Sequence, residues 1–277
     1  MNPGSQLGRD AQRTARQAAE STPLRLLGRV GLAAYGVVHL LVGYLALRVA
    51  TGGGGEKADK SGALQALAEQ PGGKILLWVI TIGLAGLVLW QLAEAVWGHR
   101  LVRPQRRRTM KRLVNVAEAL VFGFLAFSAG KLVSGGGSSS NGQQTLTAKA
   151  LALPYGQLLV GAVGVGVVAV AAFVVHRGLT RRFAEDLDLT SASPTARTAA
   201  LRLGQVGYAA LGVAYGTVGV LVVVAAVNYD PKKATGLDVA LKTLASQPYG
   251  PLLLGVVAVG LACFGAYCLF DARYRKD

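Results

Sequence analysis

The chain has few charged residues, and its long apolar stretches contain almost none of them. Charged residues make up 16% of the 277 positions, whereas hydrophobic residues make up 52%. A surface helix of a soluble protein has one apolar face, but these stretches are apolar on all sides. The composition therefore argues against a soluble globular protein and indicates an all-α integral membrane protein.

Residues that commonly carry out chemistry are also scarce. The chain has only two cysteines and three histidines. Cys263 and Cys268 are five positions apart, so they do not share a helix face, and no CxxC or zinc spacing is present. The sequence contains no GxSxG, HExxH or Walker motif. We therefore expect a protein without enzymatic activity, cofactor or bound metal.

Six apolar stretches are long enough to cross a bilayer as helices, which takes about 20 residues each. Because hydrocarbon offers no hydrogen-bond partners, a spanning chain must satisfy its own backbone groups, and stretches of this length do so as helices. The predicted spans are Val30–Ala50, Ile75–Trp97, Leu113–Val133, Gln157–Val175, Leu203–Val227 and Leu252–Phe270.

Positive charge is concentrated on alternate loops between these spans. Lys and Arg number 29 against 14 Asp and Glu, which gives a net charge of +15. The positive-inside rule therefore predicts a multi-pass protein of the bacterial plasma membrane, with six crossings and both termini in the cytoplasm. Because topology accounts for the charge, we expect anionic lipid headgroups rather than nucleic acid as partners. The sequence identifies no protein partner.

Parts of the chain repeat one residue pattern. Gly28–Val37 aligns with Gly204–Val213, and Gln70–Gly73 aligns with Gln247–Gly250. A third copy lies between them and is marked by Leu153–Gly156. Since each copy contains two spans, the copies enter the membrane in the same orientation, like parallel repeats around an axis along the membrane normal. We therefore predict three tandem helical hairpins in a closed pseudo-threefold bundle of six transmembrane helices.

The predicted division of the chain follows this repeat. It comprises a basic cytoplasmic tail, two two-helix units, and a linker with the third unit; these are residues 1–24, 25–103, 104–183 and 184–277. In the first and third units a short helix is predicted before the second span, with Ser61 and Asp238 as its N-cap residues. These short helices either aim the next span or form lids over a central cavity.

Glycine recurs at matched positions within the spans. Membrane helices gain little from burying apolar surface in lipid, so close backbone contact favours small residues at their interfaces. Glycine costs about 1 kcal/mol relative to alanine within a helix, and its repetition therefore suggests a packing role. The predicted packing glycines are Gly31, Gly36, Gly43, Gly83, Gly166, Gly207, Gly212, Gly216, Gly219 and Gly260.

Ionisable residues inside a bilayer are costly, so they are candidates for function. Glu118 lies in the third span, with Asn115 three positions earlier on the same helix face. His39 lies near the middle of the first span, and Tyr215 occupies the matching position of the fifth. Two interpretations remain for Glu118 and His39. In the first, Glu118 pairs with a basic residue near the cytoplasmic face, and His39 is a neutral imidazole hydrogen-bonded to a neighbouring helix. In the second, both residues line a pathway through the membrane.

Three charged residues share one repeat position near the predicted cytoplasmic ends of the spans. Glu94, Arg177 and Asp271 each follow an aromatic residue by four positions. In a threefold ring they face one axis at one depth, which predicts an ion network with one cation between two anions. The alternative is that each side chain reaches separately to the interface.

The repeated segments resemble a known bacterial family. Gly31–Val37 and Gly207–Val213, together with the loops Ala63–Gly73 and Ala240–Gly250, resemble the membrane family called domain of unknown function 1206. The resemblance covers about residues 25–275 and implies three tandem two-helix repeats, mainly in actinobacteria. It implies no activity, substrate or site residue.

The expected function is that of a non-enzymatic structural or accessory component of the membrane. The alternative is a small transporter or channel for a solute, an ion or protons. Its pathway groups would be Glu118, His39 and the three matched charges at positions 94, 177 and 271.

Overall fold

The structure, a computed structural model, describes residues 22–53, 58–97, 105–134, 142–230 and 237–276. Most of the predicted basic tail lies outside these residues, as do the segments 54–57, 98–104, 135–141 and 231–236. Within the described ranges the secondary structure is helical, apart from one isolated β-bridge.

Six long helices contain the six predicted spans, and three short helices lie between them. The described helices are α1 (Thr22–Ala50), α2 (Lys60–Ala68), α3 (Gly73–Trp97), α4 (Gln105–Val133), α5 (Gly142–Leu151), α6 (Gly156–Leu179), α7 (Pro194–Val227), α8 (Leu237–Ala245) and α9 (Gly250–Tyr274), with a 3₁₀ helix at Arg182–Asp186.

Five of the long helices, α1, α3, α6, α7 and α9, are long and apolar enough to cross a membrane. They indicate a multi-pass membrane protein. The described part of α4 is not among these five helices.

The turn that precedes α3, α6 and α9 has the same backbone conformation in all three repeats. The residue before the helix is left-handed, with φ of 78° at Gly72, 62° at Tyr155 and 61° at Tyr249. The glycine that follows approaches a carbonyl of the preceding short helix too closely for a Cβ. The sequence Pro-x-Gly, which stands at this point in all three repeats, therefore forms a tight turn between a short helix and a long one.

The long helices pack one after another in a row, which contacts among the described residues do not close into a ring. Their order in the row is α6, α7, α9, α1, α3, α4, and each packs against its neighbours. In the first and third repeats the two long helices of the hairpin pack against each other, α1 against α3 and α7 against α9. In the second repeat α4 packs on α3 and α6 packs on α7, with no comparable packing between α4 and α6 among the described residues. The closed pseudo-threefold bundle is therefore not confirmed.

Most of the predicted glycines lie where two helices approach closely. A Cβ added at Gly31 would meet the Gly83 carbonyl of α3, and one added at Gly36 would meet the Gly265 carbonyl of α9. The same steric limit, with contacts tighter than a normal Cβ makes, applies at Gly43, Gly83, Gly207, Gly212, Gly219 and Gly260.

Gly166 and Gly216 differ from the prediction. A Cβ at Gly216 would make an ordinary contact of 3.7 Å with Ala171, and a Cβ at Gly166 would meet nothing within 4 Å. Gly166 occupies the repeat position of Gly83 and Gly260, which pack inside their own hairpins. It has open space because α6 is not packed against α4, its partner in sequence.

One end of the bundle, here named the capped end, carries α2 and α8. The Ala58 amide donates to Asp238 Oδ1 at 2.8 Å and so joins the two caps. Lys242 donates to the other oxygen of Asp238 at 2.9 Å. The predicted N-caps are corrected here: Asp59, not Ser61, caps α2 by accepting from the Gly62 amide, and Asp238 lies within α8 and bonds across to the other repeat.

The opposite end, named the basic end, holds the 3₁₀ helix and the end of α9. Phe183 of the 3₁₀ helix is fully buried and stacks on Tyr208, with Tyr267 edge-on at 5.1 Å. Gly204 of α7 leaves room for its ring. The chain then pairs with the C-terminal segment, because the Asp188 amide donates to the Tyr274 carbonyl and the Lys276 amide donates to the Asp186 carbonyl. This segment covers the basic end of the bundle.

Candidate functional site

Glu118 faces other polar groups in the interior of the bundle near the basic end. Gln91 of α3 donates a hydrogen bond to the Glu118 carboxylate of α4. The positive charges of Arg177 and Arg275 also act on this carboxylate. The hydrogen-bond donor to Glu118 is thus a neutral amide from the neighbouring helix rather than the basic residue of the structural interpretation.

Arg177 and Asp271, the two matched charges whose side chains the structure describes, have other partners than the predicted ones. Arg177 pairs with Asp186 of the 3₁₀ helix, and its guanidinium lies over the Tyr208 ring at 5.5 Å. Asp271 pairs with Arg275 at 3.2 Å on its own helix. The side chain of Glu94 lies outside the described residues. The ion pairs of Arg177 and Asp271 therefore differ from the predicted network of one cation shared by two anions.

An aromatic layer separates this polar group from the capped end. The Tyr35 ring meets Phe122 of α4 edge-on at 5.0 Å and Phe264 of α9 at 6.1 Å. Phe264 in turn meets Tyr208 of α7 at 5.2 Å. Edge-to-face contacts of this kind add about 0.5–1.5 kcal/mol each beyond area burial. Four helices of the row therefore meet through one set of rings.

His39 lies beside this layer and is 1% exposed. Its Nδ1 donates to the Tyr35 carbonyl of its own helix at 2.9 Å, so Nε2 is left as an acceptor in the neutral ring. Nε2 is buried and has no hydrogen-bond partner among the described residues. The ring packs against Tyr35 and Phe264 at 4.2 and 5.0 Å, which fits a neutral imidazole within an aromatic core.

Lys60 brings a cation from the capped end onto the same layer. Its Nζ lies 5.1 Å from the Tyr35 ring and 5.7 Å from the Tyr215 ring. It also donates a long hydrogen bond of 3.5 Å to the Tyr35 hydroxyl. Tyr215, predicted as the counterpart of His39, is thus half-buried beneath a lysine of the α2 cap.

These groups place charged and polar side chains inside the bundle at two levels. Buried atoms without a partner in the described chain include Asn115 Nδ2 and Asp271 Oδ1, besides His39 Nε2. Within the same residues no group of three or more His, Cys, Asp or Glu is arranged to hold a metal ion.

Several of these residues were not identified from the sequence. Gln91 stands in an apolar span, and its isolated polarity was a signal that could have been used. Lys60 and Asp186 gave no such signal, because they lie outside the spans. Only the folded chain brings them to Tyr35 and Arg177.

Three segments of the chain, 30–98, 114–181 and 206–275, match the family described as Domain of Unknown Function (DUF1206). The chain is also similar to the uncharacterized protein YxxB of Bacillus subtilis (strain 168), with 33% identity over 252 residues that cover 91% of each chain. No solved structure matches it. The three family segments each contain one predicted hairpin, which confirms the tandem repeat, whereas an actinobacterial origin stays a prediction.

Proposed function

Because the chain belongs to the Domain of Unknown Function 1206 family and carries its pattern three times, we propose that it crosses the bacterial plasma membrane six times. The alternation of basic loops supports this topology and makes the basic end cytoplasmic. In this topology α4 is the third crossing. Its basic first turns lie in the headgroup layer, where Arg112 donates to the Val96 carbonyl of α3 at 3.0 Å.

Single-cysteine labelling tests this topology. Cys263 and Cys268 are replaced by alanine, and one cysteine is then introduced at Ser191 near the basic end or at Ser246 near the capped end. A membrane-impermeant maleimide applied to intact cells should label position 246 and reach position 191 only after lysis. Equal labelling of both positions in intact cells contradicts the six-span topology.

The role we propose is that of a non-enzymatic accessory protein, which packs a helix of another membrane component against the open side of its second repeat. The observation that carries the proposal is the missing interface between α4 and α6. In the first and third repeats the equivalent interface is closed, because Gly83 of α3 packs against α1 and Gly260 of α9 packs against α7. At the same position of α6, a Cβ added to Gly166 would meet nothing within 4 Å in the described part of the chain.

Glycine at this position favours a helix over lipid as the occupant. An acyl chain adapts to any apolar side chain, whereas close approach of two helix backbones requires small residues. Ala162 and Gly166 are exposed on one face of α6 at a spacing of four, so they offer such a surface. A partner helix that docks here would complete the third hairpin-like interface.

Site-specific photo-crosslinking tests the accessory role. A photo-reactive residue at Val170, exposed one turn from Gly166 on α6, is compared with one at Val256, exposed on α9. We expect a discrete protein adduct from position 170, lost when Gly166 is replaced by leucine, and none from position 256. Equal adducts from both positions, or none from either, contradict the proposal.

Passage of protons or small ions is the second candidate. It is favoured by Glu118, whose carboxylate lies among Gln91 and the charges of Arg177 and Arg275 in the interior. In proteoliposomes under a proton gradient, this function predicts a flux that Glu118→Gln abolishes and that Glu69→Gln, at an exposed site, leaves unchanged. Absence of flux with a correctly folded protein removes this candidate.

A further inference from the structure

A polar cleft of about 570 Å³ opens at the basic end. The start of α1, the end of α9 and the segment between the 3₁₀ helix and α7 form its walls. Four cations line it, and the segment from the 3₁₀ helix adds a carboxylate and a hydroxyl. These lining residues are Arg29, Arg273, Arg275, Lys276, Asp188 and Ser191.

The positive charges of the cleft are held in place by the fold. Arg275 pairs with Asp271 and lies 4.4 Å from the Trp90 ring. Lys276 donates to the Glu185 carbonyl at 2.8 Å, and Arg273 lies 5.6 Å from the Tyr274 ring. Since neither the carbonyl nor the aromatic ring cancels a full charge, Lys276 and Arg273 leave the cleft positive.

Asp188 is the one acidic residue that lines the cleft, and its carboxylate would repel a bound anion. It accepts hydrogen bonds from the hydroxyl and the amide of Thr190 at 2.6 and 3.1 Å. These bonds hold the pKa of the exposed Asp188 carboxyl below its usual value, so it is ionised at neutral pH. Against Arg273 and Lys276 it reduces the positive potential of the cleft without reversing it.

The depth of the cleft matches the headgroup layer. Arg29 directly follows Gly28, where the apolar span of α1 begins, and Tyr274 is the last residue of the apolar span of α9. Leu269, one turn deeper than Arg273 on α9, is 42% exposed. A cationic cleft at this level, with an apolar side chain beneath it, is suited to a headgroup whose acyl chains continue into the bilayer.

We propose that this cleft binds the phosphate-bearing headgroup of an anionic phospholipid from the cytoplasmic leaflet. The phosphate lies among Arg29, Arg273 and Lys276, with the Ser191 hydroxyl as a further donor. The inference rests on the proposed topology, which makes the basic end cytoplasmic. It goes beyond a diffuse attraction between a basic surface and the membrane, because it assigns the headgroup to one cleft.

Lipid binding to the full-length protein tests the site. Purified protein in detergent is titrated with phosphatidylglycerol or phosphatidylcholine, and bound lipid is counted by native mass spectrometry. Arg273→Gln and Lys276→Gln should each weaken phosphatidylglycerol binding about fivefold, since one nearby cation contributes about that factor. Asp188→Asn should strengthen it. Arg197→Gln, which removes an exposed cation of α7 outside the cleft, should leave it unchanged.

The possible outcomes separate this site from its alternatives. Equal losses in Arg197→Gln and Arg273→Gln show diffuse attraction and overturn the proposal. If inorganic phosphate displaces phosphatidylglycerol at the concentration at which the lipid itself binds, the cleft is a site for free anions, and the proposal is overturned. Labelling of position 191 from outside intact cells removes the proposed topology together with this site. If position 191 is labelled only after lysis but the protein binds phosphatidylglycerol no better than phosphatidylcholine, the topology stands and the lipid site alone is overturned.

Discussion

Gly36 of α1 and Gly265 of α9 lie face to face, and a Cβ added to either would stand 2.7 Å from the carbonyl oxygen of the other. The backbones of the two helices therefore meet without a side chain between them. This contact joins the first span to the last and lies in the middle of the row of helices. It is the closest relation between the first and third repeats.

Gly36→Ala is expected to destabilise the protein by about 1–3 kcal/mol, because the added methyl group overpacks a rigid backbone contact. The matched control is Gly166→Ala, where open space surrounds the new Cβ. There the substitution should be neutral or stabilise by up to about 1 kcal/mol, since alanine is the better helix former. Unfolding in detergent measures both. Equal stability of the two variants contradicts the described α1–α9 contact.

Phe183→Ala is expected to loosen the segment that covers the basic end. The ring is fully buried between Tyr208 and Tyr267, and removal of a buried phenylalanine costs about 3–5 kcal/mol. Limited proteolysis should then cleave residues 182–193 faster than in the unaltered protein. Phe173→Ala removes a ring that is 49% exposed on α6 and serves as the control. Unchanged proteolysis of Phe183→Ala shows that the segment is held by other contacts.

Asp238→Ala is expected to separate the caps of the first and third repeats. The Ala58 amide would lose its acceptor, and a buried donor without a partner costs about 1–3 kcal/mol. Hydrogen exchange at the Ala58 amide should accelerate markedly. Asp238→Asn keeps an oxygen acceptor and should preserve most of the protection, whereas Lys242→Ala removes only the half-exposed ion pair. Identical protection in Asp238→Ala and the unaltered protein contradicts the cap-to-cap bond.

Gln91 and Glu118 are expected to be energetically coupled. Gln91→Leu leaves the Glu118 carboxylate without its amide donor, and loss of a hydrogen bond to a charged group costs about 1.5–3 kcal/mol. Replacing both residues by leucine removes the donor and the acceptor together, so it should cost less than the two single changes summed. Stability of the four proteins in detergent gives the coupling energy. Additive effects show that the α3–α4 bond contributes nothing.

The predicted helices and repeats agree with the structure because both follow from local properties of the chain. The length of an apolar stretch sets a span, and the six long helices contain all six predicted ranges. The Pro-x-Gly turns recur in the same conformation at Gly72, Tyr155 and Tyr249. The glycine contacts at Gly31 and Gly207 also agree with the repeat.

The candidate sites were less predictable, because their partners come from distant parts of the chain. Arg177 and Asp271 were placed correctly near one end of the bundle, but their ion-pair partners, Asp186 and Arg275, depend on how the chain folds after α6 and α9. Likewise Asp238 was predicted to cap its own helix, yet its carboxylate accepts from Ala58 in another repeat.

By itself, the sequence determined which stretches are helices long enough for a membrane, how many times the hairpin is repeated, and which loops carry the positive charge. Only the tertiary structure decided that, within the described ranges, α4 and α6 of the second hairpin pack on α3 and α7 rather than on each other. The physical reason is that a helix apolar on all sides does not specify which face meets which neighbour. That choice depends on close contacts such as Gly36 with Gly265, which exist only between helices already packed together.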